Sequence, residues 1–187
     1  RFFREAEPIT VIEALAGQAE MVLLGDPGSG KSTFVNHLNY CLARHNLDPT
    51  TGWLDHLPNW PHKWAGLIPI PVVLRQLAAW FDTTQPEKEK SGLLMAYLKY
   101  SFEQMALEDL YRHLREKIDQ GEALLLLDGL DEVPAESDSC KKIIAMIDDL
   151  AGLKSPKLVT CRVLSYQDVR WRLKDDKWKV FELDKLN

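Results

Sequence analysis

Gly25-Asp26-Pro27-Gly28-Ser29-Gly30-Lys31-Ser32 fills every fixed position of the phosphate-loop pattern G-x-x-x-x-G-K-[ST], and it follows the apolar run Met21-Val22-Leu23-Leu24. A strand that turns through a glycine-rich loop into a helix predicts an α/β protein that binds a nucleoside triphosphate. The physical reason lies in the backbone. Gly25, Gly28 and Gly30 allow angles and a close approach that a Cβ would block, so that successive N–H groups of the loop, Asp26, Pro27 and Ser29 included in its span, can surround phosphate oxygens. The helix that follows adds unpaired donors and a positive dipole end. Lys31 supplies a mobile charge for the β- and γ-phosphates, and the Ser32 hydroxyl suits the coordination shell of Mg²⁺, with Thr33 as a second candidate beside it. A chance glycine turn is the competing reading, and four constrained positions in 187 residues weigh against it.

Outward from the loop, short apolar runs bounded by turn residues recur at Met21 to Leu24, Ile68 to Leu74, Ala123 to Leu127, Lys157 to Cys161 and Lys179 to Leu183. Helical patterns separate them at Lys31 to His45, Gly92 to Met105, Leu107 to Gln120 and Asp138 to Leu150, with a short one near Tyr166 to Leu173. That alternation predicts a parallel sheet with helices on both faces. Gly121 and Gly152 stand where helix C-caps are expected. Two stretches are less regular. Pro49 to Trp64, with Trp53, Trp60, Trp64, His56 and His62, reads as a surface loop pinned by aromatic burial, a partner or adenine contact being the alternative. Asp82 to Lys90 reads as a solvated loop.

Bulk properties narrow the function. The length suits one domain, and 45% hydrophobic with 27% charged residues is a globular rather than a disordered composition. A net charge of −5 argues against a nucleic-acid groove, and so against a helicase. Cys41, Cys140 and Cys161 are odd in number and lack metal-ligand spacing, which suits a reducing, cytoplasmic setting. No apolar run approaches the ~20 residues of a membrane span, and Arg1-Phe2-Phe3-Arg4-Glu5 lacks a signal-peptide core. Because Arg1 rather than Met opens the chain, we expect a piece of a longer protein.

A second motif, Leu124-Leu125-Leu126-Leu127-Asp128-Gly129-Leu130-Asp131-Glu132, is a buried strand that presents a carboxylate at its C-terminal edge, where open α/β sheets bind ligands. Asp128 would hold Mg²⁺ opposite Ser32, while Asp131 and Glu132 could orient or deprotonate an attacking water. In the third, Leu158-Val159-Thr160-Cys161-Arg162, a strand ends in a guanidinium able to report on a γ-phosphate; a surface salt bridge is the plain alternative.

These three motifs together resemble the NACHT family of signal-transduction ATPases, within the STAND class of phosphate-loop proteins. The resemblance covers essentially the whole chain, 1–187. Val22 to Thr33 looks like the family's first motif, and Leu124 to Glu132 like its second, in which a small residue, here Gly129, replaces the Glu that follows Asp in many related ATPases. Thr160-Cys161-Arg162 is similar to its T-S-R sensor, with Cys161 in place of the commoner Ser. Pro8 to Leu15 is similar to the lead-in of bacterial members, which packs near the adenine through positions such as Ile9 and Val11. The resemblance implies a three-layer phosphate-loop sandwich on a five-stranded parallel sheet of order 5-1-4-3-2. It further implies an ATP/ADP switch with Mg²⁺, catalytic roles for Lys31, Asp131, Glu132 and Arg162, and self-association of the full-length protein. A helical lid and a winged-helix domain are expected to follow in cis. The rival expectations are a nucleotide-holding scaffold without turnover and a small-molecule kinase.

Overall fold

The computed structural model describes residues 9–86, 92–174 and 176–183. The opening residues through Pro8 and positions 87–90 of the expected solvated loop lie outside the described residues.

All five apolar runs form strands: β1 (Glu20–Leu24), β2 (Ile68–Val73), β3 (Ala123–Asp128), β4 (Lys157–Cys161) and β5 (Lys179–Glu182). Every neighbouring pair is parallel, and the order across the sheet is β2-β3-β4-β1-β5, which is the expected 5-1-4-3-2 read from the other edge. Burial explains who stands where. β3 and β4 sit inside the sheet and are buried along almost their entire length, as strands covered on both faces must be. β2 carries Pro69 and Pro71, whose missing N–H groups confine it to an edge.

Among the described residues, seven α-helices flank the sheet: α1 (Val11–Gly17), α2 (Lys31–Leu47), α3 (Leu74–Thr84), α4 (Leu93–Gln104), α5 (Glu108–Gln120), α6 (Asp138–Leu150) and α7 (Val163–Tyr166). Strand alternation sorts the core into two layers. Met21, Leu23, Leu124, Leu126 and Leu158 pack with α1 and α2 on one face. Val22, Leu24, Leu125, Leu127, Val159 and Cys161 pack with α3 to α6 on the other. The sheet is thus a septum between two apolar layers, and only its edges can carry chemistry.

Some boundaries differ from the sequence reading, each for a local reason. β2 stops at Val73, and α3 begins at Leu74 with no intervening residue and no side-chain cap. With no punctuation between strand and helix, α3 is hidden behind the apolar run that precedes it. α1 is only seven residues long but has a complete capping box, with Thr10 and Glu13 each bonding the other's backbone N–H. Gly92 is the N-cap of α4, at φ 83°, rather than its first helical residue. Gly121 ends α5 in the left-handed conformation at φ 83°, whereas α6 ends at Ala151 in the right-handed region and Gly152 has no left-handed φ. The short helix expected near Tyr166 to Leu173 instead occupies Val163–Tyr166 and gives way to turns.

The Trp-rich segment is pinned as expected. Leu57 and Trp60 are buried against the α2 layer, Trp53 meets Tyr40 of α2 edge-on at 5.0 Å, and the His56 carbonyl lies 3.2 Å from His37 Nε2. Among the described residues, no helix is long and apolar enough to cross a membrane.

Candidate functional site

The β1–α2 loop is built as the sequence predicts. Gly28 and Gly30 hold φ values of 78° and 89°, and Gly30 caps α2 without a side chain. The first α-helical hydrogen bond runs from Phe34 N–H to the Gly30 carbonyl, so the N–H groups of Lys31, Ser32 and Thr33 have no intrahelical acceptor. Gly25 is closely packed: a Cβ there would meet Ser29 Oγ at 2.5 Å, so that hydroxyl would have to turn away. Lys31 folds back over the loop, its ammonium donating to the carbonyls of Gly25 at 2.6 Å and Asp26 at 3.1 Å. Asp26, Pro27, Gly28, Ser32 and Thr33 are exposed, which leaves the loop's outer surface open to a ligand.

Strand register brings the other two motifs to this edge. Leu24 lies level with Cys161, and the Gly25 N–H donates to the Cys161 carbonyl at 3.3 Å. Asp128 closes β3, and by strand alternation it shares a face with Leu124 and Leu126, the face that α2 covers. Thr160 points to the same side, since Leu158 two residues earlier does. Its hydroxyl donates to Asp128 Oδ1 at 2.5 Å and accepts from the Gly129 N–H at 2.8 Å. This buried hydroxyl joins the ends of β3 and β4 and fixes one carboxylate oxygen of Asp128. Sequence reading placed Thr160 in the sensor motif but gave it no job; the signal was a hydroxyl at the penultimate position of a buried strand.

Beyond Asp128 the chain turns through Gly129, at φ 80°, into a 3-10 turn, Leu130–Glu132. A Cβ at 129 would lie 3.2 Å from Glu132 Cδ, so the Glu132 carboxyl occupies the space into which a side chain at 129 would project. The adjacent acids are placed differently. Asp131 is 6% exposed, and Arg162 grips both of its oxygens: Nε to Oδ2 at 2.9 Å and the backbone N–H to Oδ1 at 3.0 Å. Glu132 is 41% exposed and pairs with Arg75 Nη1 at 3.5 Å. Arg75, at the start of α3, escaped sequence reading because α3 did. Cys161, between Thr160 and Arg162, is fully buried, and burial pushes its thiol up to about 12. It is a packing residue, with no part in nucleophilic chemistry.

Mg²⁺ suits these donors. Among the described residues, no three His, Cys, Asp or Glu side chains cluster as an all-protein metal cage. Mg²⁺ needs none, since it is commonly held by one or two protein oxygens with water and phosphate oxygens filling the rest. Ser32, exposed in the first turn of α2, and Asp128, steadied by Thr160, are hard oxygen donors of that type. Of the lead-in residues, Val11 packs on the α2 layer while Ile9 is 55% exposed. A cavity of about 540 Å³ between α3, α4, α5 and α6 contains none of the motif residues.

Comparison with protein-family models gave no match, and comparison with curated proteins gave none.

Proposed function

We propose that this chain is the nucleotide-binding core of a slow, Mg²⁺-dependent switch ATPase of the NACHT kind, built as a phosphate-loop three-layer sandwich. The observation that carries this reading is the convergence of Lys31, the Thr160–Asp128 pair and the Asp131–Arg162 pair on one edge of the sheet. In this reading the loop N–H groups and Lys31 hold the phosphates of ATP. Ser32 and Asp128 hold Mg²⁺, which when bound would offset charge on the β- and γ-phosphate oxygens. A carboxylate of the Asp131-Glu132 pair takes a proton from water as its oxygen bonds the γ-phosphorus. The bond to the bridging oxygen then breaks, leaving ADP and inorganic phosphate. Arg162 senses the γ-phosphate.

Such a core would act in the cytoplasm, controlling oligomerisation or signalling of a larger protein. Swinging a two-state switch from 1:99 to 99:1 needs about 5.5 kcal/mol of differential affinity. One arginine does not supply that, so most of the latch belongs to a lid and winged-helix domain in cis. A second reading, a scaffold that holds nucleotide without turning it over, is favoured by one observation: both carboxylates of the pair are already engaged by arginines. Phosphate release decides between them. The ATPase reading expects slow release by wild type that falls at least tenfold in Asp131→Asn or in Glu132→Gln; measurable nucleotide binding with identical background rates in all three would leave the scaffold.

A further inference from the structure

Resting on the reading that this edge binds and hydrolyses ATP, we infer that Asp131 is the positioning residue of Arg162 and that the proton from water goes to Glu132. The two neighbouring acids differ in what they touch. Asp131 is almost fully enclosed, and Arg162 meets both of its oxygens, its backbone N–H donating to Oδ1 and its guanidinium lying against Oδ2 as an ion pair. A carboxylate met at both oxygens by a single residue, with almost no surface of its own open to water, is placed to hold that residue rather than to meet solvent. The grip also fixes the start of the arginine. Arg162 is the last residue before α7, in extended backbone at φ −77°, and Asp131 holds it at N and at Nε. With Nε committed, the two outer nitrogens of the guanidinium remain at the end of a half-exposed side chain, and they form the fork that suits phosphate oxygens.

Glu132 has the complementary features. Its side chain lies over Gly129, the residue after Asp128, and its carboxyl fills the space where a residue-129 side chain would otherwise begin. Its one ion pair, to Arg75 at 3.5 Å between two well-exposed groups, is of the weak kind that water screens and ligands displace. One carboxylate is therefore spent on aiming the sensor, and the other is left within reach of solvent.

The test uses the whole chain with ¹⁵N-labelled arginine. Without nucleotide, the Arg162 backbone N–H should give a slowly exchanging signal that exchanges rapidly in Asp131→Ala, with Arg162→Ala identifying the peak. In titrations with ATP and ADP, Asp131→Ala and Arg162→Ala should each reduce the ATP-over-ADP affinity ratio by the same factor. That factor should be about tenfold, the scale of one charge-assisted hydrogen bond, and the double variant should lose no more. Asp131→Asn, which keeps an acceptor for the Arg162 N–H, should recover part of the ratio, while Glu132→Gln should keep all of it and lose turnover. Cooperative melting well above the assay temperature, and amide spectra that differ from wild type only around the substituted residues, establish that each variant folds. An unchanged ratio with abolished turnover in Asp131→Ala overturns the inference and makes Asp131 the base; additive losses overturn the coupling. A wild type that shows the protected Arg162 N–H yet binds neither nucleotide would remove the ATPase reading, and with it the sensor role, while leaving the contact between the two residues.

Discussion

Strand β4 has a cation at each end, and the two are treated in opposite ways. Lys157 opens the strand with its side chain fully enclosed, its ammonium donating to Glu20 at 3.0 Å and to the Leu153 carbonyl at 2.9 Å. Burial pulls its pKa down, and Glu20 only partly offsets that. Arg162, just past the other end, is 51% exposed and tied to Asp131. The first cation is consumed in holding β4 against β1 and the turn before it. The second is oriented but still reachable. The N-terminal edge of this sheet is structural, and its C-terminal edge is where the proposed chemistry would lie, the usual place for ligands of open parallel sheets.

Breaking each end separates the two roles. The largest stability effect should come from Glu20→Ala, which strands the Lys157 ammonium in the core with a single carbonyl partner. Urea unfolding should show a loss of about 3 to 5 kcal/mol. Lys157→Met, which removes the charge and keeps the stem, should cost far less, since Glu20 is near enough to the surface to regain water. Arg162→Ala should cost less, about 1 to 2 kcal/mol, because the enclosed Asp131 keeps the bond from the residue-162 backbone N–H. Comparable losses at both ends would erase the distinction.

A smaller effect sharpens the same comparison through pH. The Cys161 thiol at the C-terminal end of β4 is raised from 9.0 to about 12 by burial, so between those values the folded protein keeps a proton that the unfolded chain releases. Its contribution is fully present below about pH 9 and is lost as pH rises towards 12. Wild type should therefore lose stability more steeply than Cys161→Ala across that window in urea melts at successive pH values. Parallel slopes would mean that the thiol is not buried as described.

The parallel sheet and its helical layers were legible because long apolar runs and glycine punctuation carry that signal. Lys157–Cys161 and Asp138–Leu150 fall on their expected bounds. The strand order was not written in the periodicity; it came from the family resemblance. α3 was missed although Leu74, Leu77, Ala78 and Phe81 have helical spacing, because Val73 passes into it without a cap or a turn residue. α1 was missed despite Thr10 and Glu13, because seven residues are too few for periodicity to register. At the site, sequence supplied Lys31, Ser32, Asp128, Asp131, Glu132 and Arg162 but could not apportion them. That Thr160 bonds Asp128, that Asp131 pairs with Arg162 and that Glu132 lies over Gly129 are facts of packing across 3 to 32 positions in the chain.

The central claim is that the loop from Gly25 to Ser32 holds the phosphates of ATP, and a calorimetric titration of ATP with Mg²⁺ into wild type and Lys31→Ala tests it most directly. The account predicts saturable one-to-one binding by wild type and at least tenfold weaker binding by Lys31→Ala, the loss expected for one charged hydrogen bond. Equal binding by the two proteins, or no binding of ATP or ADP by wild type, would contradict it.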